Sequence, residues 1–193
     1  MEEKKSGRLK ELLSWVLTIA FAIAAAWVIN NFVLFKMFVD GPCMESTLYY
    51  ADEMYGLRIA YLFSEPKRGD IVTFWAPDLL EKGEKVVYIK RIIGLPGETV
   101  EIKDGVVYID GEILEEEYKQ NLLAEEYKKQ PELGNHGPYE VSEDSYFMLG
   151  DNRDFSHDSV DWENTYVKKE NILSKAMFRY SPNFHWFSDV KYE

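Results

Sequence analysis

Val86-Val87-Tyr88-Ile89-Lys90-Arg91-Ile92-Ile93-Gly94-Leu95-Pro96-Gly97-Glu98 is the stretch from which the fold is read. It is rich in β-branched and aromatic residues and closes on a Pro-Gly turn signal, so it predicts a strand. Side chains alternate between the faces of a strand. Lys90 therefore shares a face with Val86, Tyr88 and Ile92, and Arg91 shares the other with Val87, Ile89 and Ile93. Apolar residues on both faces predict a strand covered on both sides. An ammonium buried there costs several kcal/mol unless it is paired or gives up its proton. A lysine that gives up its proton near neutral pH is a general base. The plainer alternative is that Lys90 snorkels from the sheet edge into water.

Working outward, the flanking segments predict a mainly β protein. Tyr55–Tyr61 and Ile71–Trp75 read as strands, with Pro66–Asp70 as a turn between them and Pro77–Lys85 as a polar loop. Phe74 and Trp75 fit either an ordinary core or an apolar surface resting on lipid. Thr99–Lys103, Val106–Ile109 and Glu112–Leu114 are joined by Asp104-Gly105 and Asp110-Gly111, a strong hairpin signal because both turn positions favour positive φ. Glu115–Lys129 is charged enough to read as a helix with a solvated acidic face, and Pro131–Pro138 as loop. Residues 99–142 thus look like an insertion between two parts of one core, 36–98 and 143–193. Ser145–Leu149 is a strand that ends in the tight polar loop Gly150-Asp151-Asn152-Arg153-Asp154, and Ile172–Tyr180 is the last strand.

At the N-terminus no charged residue occurs between Glu11 and Lys36. Residues 12–35 are long enough to cross a bilayer, which takes roughly 20 apolar residues. A cleaved secretory signal and a buried helix of a soluble protein are the competing readings, but the apolar run continues past the small-residue site Ala24-Ala25-Ala26. Lys4, Lys5, Arg8 and Lys10 precede the segment and only Lys36 closely follows it. The positive-inside bias then puts residues 1–11 in the cytoplasm and everything after about residue 36 outside the cell. A net charge of −12 argues against a nucleic-acid partner. One cysteine, Cys43, excludes an intrachain disulfide, and the scattered histidines show no metal-ligand spacing, so neither a metal nor another cofactor is expected. By itself a lone cysteine reads as a small buried hydrophobe.

Four stretches in fixed order carry a family resemblance: Gly41-Pro42-Cys43-Met44-Glu45-Ser46-Thr47-Leu48, Lys67-Arg68-Gly69-Asp70-Ile71-Val72, Tyr88 to Glu98, and Gly150-Asp151-Asn152-Arg153 through Asp158-Ser159. Behind an N-terminal anchor, they resemble bacterial type I signal peptidase in its Gram-positive form. The resemblance implies an antiparallel β catalytic domain with a small inserted β-rich subdomain. It also implies a membrane-bound endopeptidase with a Ser-Lys dyad, whose apolar active-site face lies against lipid. The partners would be membrane lipid and the signal peptides of exported preproteins, cut after small residues at −3 and −1.

Carried over residue by residue, Cys43 stands at the place of the nucleophilic serine, and its backbone N–H at that of an oxyanion donor. Lys90 is at the general base and Ser156 at the serine that orients the lysine. Arg91 and Asp151 match a structural ion pair, and Asp158 an acidic residue near the lysine. Ser46 replaces a usual proline, and Val160 a frequent arginine that would partner Asp158. The thiol leaves three readings open: a natural thiol peptidase, a deliberate Ser-to-Cys change, or an anchored relative that binds peptides without cutting them.

Overall fold

The computed structural model describes residues 2–116, 118 and 134–187, with side chains of the first helix described from Lys10 onward. Helix α1 (Glu2–Val28) passes through one π-helical turn, Ile29–Val33, directly into strand β1 (Leu34–Phe38). Lys10–Val33 is predominantly apolar, and none of its residues is buried by the rest of the protein. The strand begins inside the expected 12–35 span, so the apolar helix ends at Val33. Arg58 fastens this junction: its backbone N–H donates to the Val33 carbonyl at 2.8 Å and its Nε to the Leu34 carbonyl at 3.2 Å. Its guanidinium also lies over the Phe35 ring at 4.3 Å.

The chain continues through β2 (Glu53–Leu57), β3 (Ile71–Trp75), the short helix α2 (Pro77–Glu81), β4 (Val87–Gly94), β5 (Thr99–Lys103), β6 (Val106–Ile109), β7 (Glu112–Ile113), β8 (His136–Glu140), β9 (Ser145–Leu149), β10 (Tyr166–Lys168), β11 (Ile172–Ser181) and β12 (His185–Trp186). Eight strands form one sheet in the order β1-β2-β11-β3-β4-β9-β10, with β12 beside β11, and four form a second, β7-β6-β5-β8. Every pairing is antiparallel.

β4 carries the core on both faces, as its alternation predicts. Ile92 packs with Val72, Phe74 and Met148, whereas Ile93 packs with Val100, Ile102 and Phe147, the layer that joins the small sheet to the large one. Phe74 is wholly buried against Tyr88 and Trp162, so of its two readings the core one holds. Three local expectations are corrected. Pro77–Lys85 contains a turn of helix, because Pro77 fits a first helical position and Asp78 favours the positive end of the dipole. Pro138 lies within β8 and not in a loop; β8 is an edge strand with a register shift, where a missing N–H is tolerated. The early strand runs from Glu53 to Leu57, with Arg58–Tyr61 in a turn. The helix expected over Glu115–Lys129 lies almost entirely outside the described residues.

Candidate active site

The site opens where β4 has a partner on one side only. β3 pairs with β4 from Val87 to Arg91, but on the other side β9 covers only Arg91 to Gly94. Beyond Leu149 the chain turns away through the Gly150 loop. The edge of β4 from Val87 to Lys90 is left to face a cavity of about 440 Å³, lined by Cys43, Lys90, Ile89, Thr73, His157, the β1 stretch Phe35–Phe38 and Val39 after it, among others.

Lys90 is only 4% exposed. Its amine lies 5.7 Å from the Tyr88 ring and makes no hydrogen bond or ion pair among the described residues. Snorkelling into water is therefore not what the side chain does.

Cys43 follows Gly41, whose φ of +140° favours a residue without a side chain, and Pro42. Glu45 and Leu48 close one helical turn through their N–H groups onto the Pro42 and Met44 carbonyls. Met44 and Leu48 are buried against Met37, Val39 and Met54, so the turn is nailed to the core from inside. The thiol is left half-buried at the cavity, 3.9 Å from the Ile89 carbonyl. Ser46 has φ +95°. Proline, fixed near −65°, does not fit that backbone, which accounts for its absence here.

Each residue of Gly150-Asp151-Asn152-Arg153 then holds something in place. A Cβ on Gly150 would collide with the Cys43 carbonyl and the Ser156 hydroxyl, so only glycine lets the two loops meet. The Asp151 carboxylate accepts from Arg91 Nε at 2.8 Å and Nη2 at 2.6 Å, and from the Thr47 hydroxyl at 2.5 Å. Both charged partners are buried. The Asn152 backbone N–H donates to the Cys43 carbonyl at 3.1 Å, and its side-chain amide to the Pro42 carbonyl at 3.1 Å. Arg153 donates to the Gly150 carbonyl at 2.9 Å and pairs with Glu116. Glu116 belongs to the acidic stretch read as a solvated face; it is instead buried, because Arg153 needs a counter-charge.

Asp158 is buried beside this loop and accepts from the Gly150 N–H at 3.1 Å and the Val160 N–H at 3.3 Å. Burial pushes its carboxyl up from the ordinary aspartate range, against the opposing pull of the Gly150 N–H, Ser156, Arg153 and Lys90. With Val160 where an arginine is frequent, Arg153 supplies the nearby positive charge. The Ser156 hydroxyl is buried and reaches hydrogen-bond geometry with none of the described residues, although it sits near enough to Asp158 to favour its charge.

The structure thus gathers Cys43, Lys90, Ser156 and Asp158 around one end of β4, and joins Arg91 to Asp151 behind them. Sequence reasoning missed Thr47, Asn152 and the Arg153–Glu116 pair. The first three lie inside the quoted motifs, where their pairing partners were not legible; Glu116 gave no signal beyond its charge.

Residues 12–181 match the family described as signal peptidase, peptidase S26. Signal peptidase I of Leptolyngbya laminosa is 36% identical over 174 residues, which span 89% of this chain and 80% of that one. Signal peptidase I of Bacillus amyloliquefaciens is 35% identical over 186 residues, 94% of both chains. A crystal structure of a signal peptidase I from Enterococcus faecalis aligns with 58% of this chain and 97% of that one, at 33% identity and a TM-score of 0.45. By the match along residues 12–181 and by relatives of this identity over most of both chains, this chain belongs to the signal peptidase family, peptidase S26.

Proposed function

We propose that this protein is a membrane-anchored endopeptidase that removes signal peptides from exported preproteins, with Cys43 as nucleophile and Lys90 as base. The observation that carries the reading is the shared cavity: a half-buried thiol and a buried amine, unpaired among the described residues, face it together. The amine takes the thiol proton, and the thiolate attacks the scissile carbonyl to form a thioester. The Cys43 backbone N–H, which donates no hydrogen bond among the described residues, would stabilise the oxyanion. Ser156, Asp158 and the Arg91–Asp151 pair are positioning residues.

The substrate would lie extended along the open edge of β4, adding main-chain hydrogen bonds as another strand would. The apolar helix is the anchor, with residues 1–11 in the cytoplasm and the β domain outside. The exposed Leu62 and Phe63 follow directly on the Arg58 turn at the helix exit, which fits contact with lipid at that level.

The test is to incubate detergent-solubilised protein with a preprotein bearing an Ala-X-Ala site. Cleavage after the second alanine, lost in Cys43→Ala, is expected. Saturable binding of the signal peptide with no product from either this protein or Cys43→Ser would assign the chain instead to a binding role.

A further inference from the structure

Two side chains that leave the small sheet after β7, Glu116 and Tyr118, end behind the site. The Tyr118 ring packs against the core cluster that holds Ile93, Val107 and Leu149. The Arg91 guanidinium lies over its face, 3.9 Å from the ring centre. A cation in that place is attracted by the electron-rich face of the ring. The Tyr118 hydroxyl donates to the Glu116 carboxylate and accepts from Arg153 Nη2 at 3.4 Å. Glu116 itself pairs with Arg153. One short segment therefore engages both arginines of the rear wall. Arg91 is bound on its other side to Asp151, and Arg153 donates from Nε to the Gly150 carbonyl. Gly150 and Asp151 belong to the loop that meets Cys43.

Arg153 is also near Asp158, and both are buried. Two carboxylates thus compete for one guanidinium. Glu116 holds it, whereas Asp158 accepts only backbone N–H groups, from Gly150 and Val160, and makes no ion pair among the described residues. The other charged or titratable groups around Asp158 are Lys90 from β4, Tyr139 from β8, and His157 and Asp161 in its own loop. We infer that Glu116 and Tyr118 are positioning residues of the site: Tyr118 covers the Arg91 guanidinium, Glu116 occupies that of Arg153, and the division leaves Asp158 beside Ser156 and Lys90 without an ion pair. The effect on turnover rests on the proposed peptidase reading; the division of charge does not. A buried guanidinium needs a counter-charge. Without Glu116, the nearest one is Asp158, and turning toward it pulls Arg153 off the Gly150 carbonyl that it now holds.

The division of charge is tested without turnover. The melting temperature of Asp158→Asn is measured against its own background at pH 5 and pH 8, in the full-length parent and in Glu116→Gln. In the parent, where Asp158 has no counter-ion, the asparagine is relatively more favourable at pH 8. In Glu116→Gln the guanidinium passes to Asp158 and stabilises its charged form. Removing that charge then costs more at pH 8, so the pattern weakens or reverses. The same pH dependence in both backgrounds overturns the inference. If Glu116→Gln does not fold, Glu116→Asp, with its shorter reach, takes its place; a smaller change in the same direction is expected, and no change refutes the division.

The positioning role is tested with kcat and KM for an Ala-X-Ala peptide in the parent, Tyr118→Phe and Tyr118→Leu. Tyr118→Phe keeps the ring over Arg91 and loses the hydroxyl, and Tyr118→Leu loses both. The expected result is a fall in kcat of about tenfold in Tyr118→Leu and a smaller one in Tyr118→Phe, with KM within about twofold, because neither variant touches the substrate. A kcat in Tyr118→Leu within about twofold of the parent overturns the role. A parent that turns nothing over fails the peptidase reading, and the position of Cys43 is then read from its alkylation by iodoacetamide. A rate changed by about threefold or more in Tyr118→Leu supports the role, and an unchanged rate refutes it.

Discussion

At the scale of single residues, the proposed roles ask less of Lys90 with sulfur at position 43 than they would with oxygen. A hydroxyl needs a base throughout its attack, whereas a thiol needs one only to become thiolate. Sulfur is also larger, and a misplaced attacking atom costs about 10²-fold. Cys43→Ser is therefore expected to keep measurable processing while making the rate more dependent on Lys90; steady-state rates of the single and double variants at residues 43 and 90 check this, and equal dependence in both backgrounds would count against it.

Asp158 gives a pH prediction. Its carboxyl titrates higher in the folded protein than in the unfolded chain, with burial as the main cause. The folded state then holds that proton more tightly, so the cost of the buried charge is present above the raised titration point and is relieved as pH falls through it. The melting temperature of Asp158→Asn, relative to the parent, should be more favourable at pH 8 than at pH 5. A difference that does not vary with pH would show that Asp158 titrates as in an unfolded chain. Of these residues, the positions were legible in the sequence through the motifs that resemble the family, but the burial and partners were not. Whether Lys90 was buried or snorkelling depended on what covers the end of β4, and that is supplied by loops distant in the chain.

At the scale of elements, the site is a consequence of β4 being longer than the part of it that β9 covers. The Arg91–Asp151 pair marks the point where the two strands separate, with Thr47 bringing in the third loop. Removing one partner of a buried pair costs about 3–5 kcal/mol. Asp151→Leu should therefore lower the unfolding free energy by that order, read by denaturant titration of the solubilised protein, and lower activity with it; a loss below about 1 kcal/mol would mean the pair is not what closes the loops.

Gly150→Ala tests contact between the loops more selectively. Its Cβ has no room between the Cys43 carbonyl and the Ser156 hydroxyl. The variant should stay folded and lose about 10²-fold in kcat through displacement of Cys43. Unchanged kcat would mean the nucleophile loop is not held there.

Strands with alternating or doubly apolar patterns, such as Ile71–Trp75 and Ser145–Leu149, were readable to the residue. β8 was not, because Gly137-Pro138 signals a loop unless one knows the strand is an edge. β1, β10 and β12 were not either: β1 begins at Leu34, still inside the apolar run that forms the helix, and the other two are only three and two residues long.

At the scale of the whole molecule, one unburied apolar helix precedes a β domain whose cavity is lined partly by the strand that the helix becomes. This continuity limits how far the site can stand from the bilayer surface: about 3.3 Å of rise per residue along β1 and the residues after it. The proposed orientation rests on the basic residues before the helix. In intact cells, external protease should remove a tag placed after Glu193 and spare one placed before Met1; the reverse pattern would invert the proposed topology.

The claim that holds these scales together is that a buried Lys90 activates Cys43 for peptide cleavage, and the rate of preprotein processing by the full-length parent and by Lys90→Ala in the same detergent tests it most directly. The account predicts cleavage after Ala-X-Ala by the parent and a loss of about 10²-fold or more in Lys90→Ala. Equal rates in the two proteins would contradict it.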